Sequence, residues 1–430
     1  MQSVVLCVVV LKCVVASCGA AKVSPFTDDA RNPFALKSSH SSRSDGSDLI
    51  VCYLTGSPAF WNKNAAGVVE PKDIPDDTCN TLNLMNWLGI RGDRLSWSND
   101  FNWQVSLKQV IHEWRDRNTS WPYNKDGSRA KRIMVTIGDA GQLRNLVRSA
   151  ELDQGLLRRF AVNVRTFLAW TGLDGLDIDW EYPGWHRPWQ ERPMFLALLA
   201  ELRKEFDTAL PPLSRRLYIS VAAAASRGIM ESAYIMPDMG KYVDWINLMA
   251  YDYHGFVWYM PFTGHNAPLE AAKNENGTFS ELNVHWSVQR WLDWGLPKEK
   301  LVLGIPTYGR SFRLVRPEVH DIGSPALGGG WTNFTDACSI LNSADGVRVW
   351  DSDSQVPYTY RNGTRDWISY DDEESVAKKV QFSREFQLGG VMVFSLDADD
   401  HEGVVCSVGR KNKKKFPLLR RIVAEMRKTF

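Results

Sequence analysis

From residue 49 onward, short apolar runs recur along the chain. They cover 49–55, 82–85, 133–138, 175–180, 217–224, 245–250, 301–306 and 390–396. Most are β-branched or Leu-rich with few polar interruptions, the pattern of parallel strands buried on both faces. Helical patterns fill several of the intervals, at 156–168, 195–206, 284–294 and 373–386, and another at 418–426 follows the eighth run. Eight alternations of β and α predict an α/β fold, a (β/α)8 TIM barrel over 49–430. The stretch between the seventh and eighth runs is too long for one helix. It holds Gly328-Gly329-Gly330-Trp331 and Val356-Pro357-Tyr358-Thr359-Tyr360. Residues 313–371 are therefore expected to form a small α+β insertion between strand 7 and helix 7. No internal repeat is evident.

Such a barrel carries its chemistry at the C-terminal ends of the strands. At the end of the fourth run, 174–181 reads Asp-Gly-Leu-Asp-Ile-Asp-Trp-Glu. On a strand, Asp177, Asp179 and Glu181 point to one face. Stacked like charges cost stability unless a site uses them. A solvated acidic face would be the plain reading, but Leu173, Leu176, Ile178 and Trp180 make the segment apolar enough to bury. Tyr251 and Asp252 end the sixth run, Tyr308 and Arg310 follow the seventh, and Phe394 lies in the eighth. These pieces can converge on one mouth. No His stands beside the carboxylates with ligand spacing, so neither a metal nor a cofactor is expected.

The chain has 430 residues, is 44% hydrophobic and has a net charge of +1. That suits one large barrel with a sizeable core and gives no reason to expect nucleic acid or an anionic membrane as partner. The run Lys411-Asn412-Lys413-Lys414-Lys415 reads as a solvated loop. Eighteen Trp is a high count. Trp suits stacking on sugar rings, although most copies in any chain pack in the core. Residues 4–11 are apolar and small residues follow, so 1–21 is expected to be a secretory signal peptide, too short to span a bilayer. Lys12 interrupts it, and Val15-Ala16-Ser17-Cys18 also resembles a bacterial lipoprotein cleavage box. A flexible, Ser-rich lead-in is expected over 22–48. No later segment is apolar enough to cross a membrane. The protein is thus expected to be secreted, and a monomer. Three of seven Cys lie in the leader. The other four, Cys52, Cys79, Cys338 and Cys406, form an even set that predicts two disulfides. Sequons at Asn118, Asn276, Asn333 and Asn362 should mark surface positions.

The motifs carry a resemblance. Asp174-Gly-Leu-Asp177-Ile-Asp179-Trp-Glu181-Tyr182-Pro183-Gly184 resembles the signature of glycoside hydrolase family 18, the chitinases and chitinase-like lectins. Met249-Ala-Tyr251-Asp252-Tyr-His-Gly255 and Thr263-Gly-His-Asn266-Ala-Pro268 resemble the sixth-strand motif and its loop. Leu303-Gly-Ile-Pro-Thr-Tyr308-Gly-Arg310-Ser-Phe312 resembles the seventh, and Gly389-Gly-Val-Met392-Val-Phe394-Ser-Leu-Asp397 the eighth. The resemblance implies Cys52–Cys79 and Cys338–Cys406 pairing. It also implies a retaining hydrolysis in which the substrate supplies the nucleophile, an exception to the two-carboxylate scheme. Glu181 would protonate the glycosidic oxygen. Asp179 would hold the acetamido N–H and stabilise an oxazolinium, next to Asp177. Tyr251 would bond the acetamido oxygen. Asp252 and Arg310 would contact hydroxyls, and Tyr53 would support the Asp177 end. Tyr308, Met392, Met249 and Tyr182 complete the implied substrate-binding set.

This chain also departs from the family. The family's floor under the reactive sugar is a Trp, and Phe394 stands there instead. The third-strand Gly-Gly-Trp stretch appears as Gly138-Asp139-Ala140, which removes an aromatic and adds a charge. Ser57, Asn86 and Val257 occupy other familiar stacking places, and nearby Trp61, Trp87 and Trp258 are candidates to replace them. Less stacking area weakens long-chain binding. The expected function is an endo-acting chitinase cutting β-1,4 links between N-acetylglucosamine units. The alternative is a lectin that binds chito-oligosaccharides without cutting. Cleavage within N-glycan cores is a third reading, disfavoured by the expected insertion.

Overall fold

The computed structural model describes residues 48–55, 69–97, 107–116, 130–208, 216–407 and 413–428, apart from His186 and Asn274. The expected signal peptide and most of the expected lead-in, together with Ser57, Trp61, Lys411 and the sequon at Asn118, lie outside them. Chain order begins with β1 (Leu49–Leu54) and β2 (Thr81–Leu84), then a hairpin of β3 (Leu88–Arg91) and β4 (Arg94–Trp97). β5 (Arg132–Ile137), β6 (Gly175–Ile178), β7 (Tyr218–Ala224), β8 (Trp245–Met249) and β9 (Leu301–Pro306) follow. A second group comprises β10 (Tyr308–Leu314), β11 (Ala326–Asn333), β12 (Gly346–Asp351), β13 (Val356–Arg361) and β14 (Asp366–Ser369). β15 (Gly390–Phe394) returns to the first.

Eight strands close a barrel in the order β1-β15-β9-β8-β7-β6-β5-β2, and neighbours around it run parallel. This is the expected TIM barrel. The strands read as apolar because they are buried on both sides. Leu176 and Ile178 face outward into the layer shared with the helices. Val51, Tyr53, Met134, Val302 and Met392 fill the interior instead. The outer layer is built by helices such as Leu156–Thr171, which buries Leu157, Phe160, Ala161, Val164 and Leu168 along one stripe and ends at Gly172 in the left-handed region, φ 76°. That spacing is a one-faced helix with a glycine stop. Gly304 serves the interior. A Cβ there would meet the Leu248 carbonyl at 2.2 Å, the Met392 methyl at 2.9 Å and the Tyr251 ring at 3.1 Å. No helix among the described residues is long and apolar enough to cross a membrane.

The second sheet is antiparallel, in the order β11-β10-β14-β13-β12. Its first strand starts one residue past β9, ahead of residue 313, where the sequence pattern places the insertion. Only Thr307 separates the two. Its N–H donates to the Phe394 carbonyl (2.9 Å) and its hydroxyl to the Ser395 carbonyl (2.5 Å). Tyr308 and Arg310 therefore belong to the second sheet, locked against the end of β15.

Cys52 bonds Cys79, joining β1 to the start of β2, and Cys338 in the helix Phe334–Leu341 bonds Cys406 past β15. The closures span 27 and 68 residues. Chain entropy then gives about 3.6 and about 4.4 kcal/mol of stabilisation. Replacing Cys338 and Cys406 together by Ser should thus cost more than the equivalent change at Cys52 and Cys79. Equilibrium unfolding of the two double variants checks this ranking. Of the described sequons, Asn276 and Asn362 are exposed. Asn333 is not a surface position: it is 6% exposed where β11 ends and the helix Phe334–Leu341 begins.

Candidate active site

Register builds the acidic centre. Asp177 on β6 lies level with Thr136 on β5 and Ser220 on β7. All three point into the barrel, so both hydroxyls reach the carboxylate. Thr136 donates to Oδ2 at 2.9 Å and Ser220 to Oδ1 at 2.5 Å. The Tyr53 hydroxyl donates to Oδ2 at 2.7 Å and the Asn247 amide to Oδ1 at 3.2 Å. Asn247 also donates to the Tyr53 oxygen (3.1 Å), and the Trp245 indole fixes its own oxygen (3.1 Å). Asp177 is fully buried. Burial raises its proton affinity, and these four donors pull it part of the way back.

Asp179 has the opposite environment. It lies just past β6, its own N–H held by the Ile137 carbonyl at 2.9 Å. Its side chain is buried, and Oδ1 has no hydrogen-bond partner. Burial first, then the charges of Glu181 and Asp177, push its proton affinity well above the ordinary carboxyl range. Glu181 stands at the rim, its side chain open to solvent. The protein packed around it still raises its proton affinity. A bond with the Tyr182 hydroxyl opposes this, and the charge of Asp252 adds to it. The charges of Glu181 and Asp177 both act on Asp179, so its titration is tied to theirs.

Asp252 and the second sheet form the next part. Asp252 takes a left-handed conformation, φ 62°, which turns its side chain toward β10. Its Oδ1 accepts from the Tyr308 hydroxyl at 2.6 Å and from Arg310 Nε at 3.0 Å, and a second Arg310 nitrogen lies at 2.7 Å. The Arg310 guanidinium rests on the Trp331 ring, 3.4 Å from its centroid. Phe394 sits among three tyrosines. Its ring stacks on Tyr251 (5.8 Å, 24°) and meets Tyr53 and Tyr308 edge-on (5.5 and 6.2 Å). Tyr251 also packs edge-on to Tyr308 at 5.7 Å. Met392 is buried beneath this group and Met249 packs against it half-buried. Tyr53, Asp177, Asp179, Glu181, Tyr182, Met249, Tyr251, Asp252, Tyr308, Arg310, Met392 and Phe394 thus gather at one end of the barrel.

One other expectation fails: Trp87 is 2% exposed and packs in the core, so it offers no face to a sugar. Asp139 is exposed and caps a helix. Its oxygens accept from the Gln142 backbone N–H (2.9 Å) and side-chain amide (3.0 Å), capping the helix Ala140–Leu152. Trp258 is 81% exposed and stays available. Sequence reasoning missed Thr136, Ser220, Asn247 and Trp331. The first three were visible as lone polar residues at inward positions of apolar runs. Among the described residues, no cluster of His, Cys, Asp or Glu could hold a metal.

Comparison with known proteins identifies the family. The family model described as glycosyl hydrolases family 18 matches residues 63–399. Chitotriosidase-1 of Mus musculus is 31% identical over 394 residues, covering 88% of this chain and 78% of its own. Human (Homo sapiens) chitinase-3-like protein 2 is 34% identical over 376 residues, 84% of this chain and 89% of its own. Among solved structures, human YKL-39, described as a pseudo-chitinase with retained chitooligosaccharide binding, superposes with a TM-score of 0.76 at 28% identity. It covers 88% of this chain and all of its own (100%). The group IV chitinase of Ostrinia furnacalis gives 0.75 at 28% identity, with 89% of this chain and 100% of its own covered. The chain belongs to glycoside hydrolase family 18.

Proposed function

We propose that this protein is a secreted chitinase that cuts β-1,4 links between N-acetylglucosamine units, with the substrate's own acetamido group as nucleophile. One observation carries the reading: the three acids of one motif have three different environments. Asp177 is saturated by donors, Asp179 keeps a buried oxygen without a partner, and Glu181 faces solvent with raised proton affinity. An acid that donates a proton must hold it at rest, and Glu181 is tuned that way. Glu181 gives its proton to the glycosidic oxygen as the bond to the anomeric carbon breaks. The acetamido carbonyl oxygen attacks that carbon, forming an oxazolinium. The unpartnered Asp179 oxygen accepts the acetamido N–H and balances the positive charge. Tyr251 donates its hydroxyl proton to the acetamido oxygen. Water then opens the oxazolinium as Glu181 takes back a proton, and the configuration is retained. Asp252 and Arg310 orient sugar hydroxyls. The two disulfides support export to an oxidising compartment.

A second reading is a lectin that binds chito-oligosaccharides without cutting them. Phe394 at the floor and the similarity to YKL-39 favour it. Incubating the purified protein with chito-oligosaccharides separates the two: shorter products support the enzyme, and binding without products supports the lectin.

Phe394 tests the floor. A Phe offers less stacking area than a Trp, and holding a distorted sugar draws on that contact. Phe394→Trp should raise turnover by at most about tenfold, the equivalent of one aromatic contact. Crowding from Tyr53, Tyr251 and Tyr308 could instead make the larger ring clash and lower it. Phe394→Ala is the decisive variant. Full binding and turnover in a folded Ala protein would remove Phe394 from the site.

A further inference from the structure

We propose that Trp185 and Trp189 form a sugar-stacking platform beside Glu181, taking N-acetylglucosamine units of a chain that continues out of the catalytic groove. This rests on the site reading above and extends it to a surface outside the motif residues. Trp185 and Trp189 come four and eight residues after Glu181, on the segment leading from the end of β6 into the helix Pro188–Asp207. Their side chains are 44% and 89% exposed.

The backbone that carries Trp185 is fixed. Its N–H donates to the Tyr182 carbonyl at 3.3 Å and closes a turn. Gly184, at φ 83°, donates its N–H to Glu191 Oε2 at 3.0 Å. Glu191 is 1% exposed, and Arg144 Nε stands 3.4 Å from its other oxygen. A buried, charge-backed carboxylate in the first turn of the helix therefore holds the turn that follows the acid. One exposed Trp would need no explanation. Here two lie on a single short segment next to the proposed general acid, and the first is pinned by a buried anchor. Where the family resemblance calls for aromatic side chains, this chain has Ala140 and Val257. Stacking on the apolar face of a pyranose buries both surfaces without needing charge, which suits a neutral N-acetylated polymer.

Titration calorimetry with the trimer and hexamer of N-acetylglucosamine tests the platform. In the unaltered protein the hexamer should bind more tightly than the trimer. Trp185→Ala and Trp189→Ala should each lower the hexamer-to-trimer affinity ratio by about five- to tenfold, one aromatic contact's worth. Trp185→Phe should restore most of it. Thermal unfolding of each variant establishes that it is folded. If both Ala variants keep the unaltered ratio, the platform is wrong and the catalytic reading stands. If the unaltered protein binds neither oligomer, the site reading fails and takes the platform with it.

Discussion

Glu181→Gln should abolish hydrolysis of chito-oligosaccharides while leaving their binding largely in place. The amide has the shape of the acid and no proton to give. General acid catalysis contributes about 10²–10⁴-fold, and turnover should fall by at least that. Affinity should hold because Glu181 is solvent-exposed, so an uncharged replacement leaves no buried group stranded. Product analysis and calorimetry on the same preparation give both quantities. Wild-type turnover in the Gln variant would mean that Glu181 is not the acid.

The second large effect is on stability. Unfolding free energy should be greater near pH 5 than near pH 7.5. Burial holds the proton affinities of Asp177, Asp179, Asp252 and Asp399 above their unfolded values. A raised carboxyl binds its proton more firmly in the folded chain. Its contribution is full below the unfolded value and is lost as pH climbs through the folded one. Asp399 marks the window. Burial pushes it up to about 7, against the pull of backbone N–H bonds from Leu419, Asp400 and Leu418. A rise from the ordinary value of about 3.9 is worth on the order of 4 kcal/mol across that span. His254 works the other way, since burial lowers it to about 4. It is one group against several. Denaturant titrations at the two pH values decide the matter, and greater stability at pH 7.5 would overturn the assignment.

The barrel was legible because a parallel strand covered on both sides must be apolar throughout, and all eight runs became strands. The hairpin β3–β4 was not. It is half-exposed and charged, with Arg91 and Arg94 beside its turn, and so carries no apolar run. The acids of the site were legible because alternation along a strand is fixed by geometry. Their separate environments were not, since they depend on register: Thr136 and Ser220 are 41 residues before and 43 residues after Asp177, and only strand pairing brings them level. Exposure was equally hidden. Trp87 and Trp258 look alike as letters, yet one is core and the other is 81% exposed.

If the proposed function holds, the joint at Thr307 has a consequence for how a sugar chain is admitted. One residue joins the last barrel strand before the second sheet to that sheet's first strand, and both its N–H and its hydroxyl are tied to the end of β15. The Cys338–Cys406 bond ties the sheet's helix to the same region. A hinge needs slack, and this connection has none. The wall carrying Tyr308, Arg310 and Trp331 is therefore a fixed jaw, not a lid. On the proposed reading, selection would act as a gauge: a sugar chain would enter because it already fits, with little ordering of the protein left to do when it arrives.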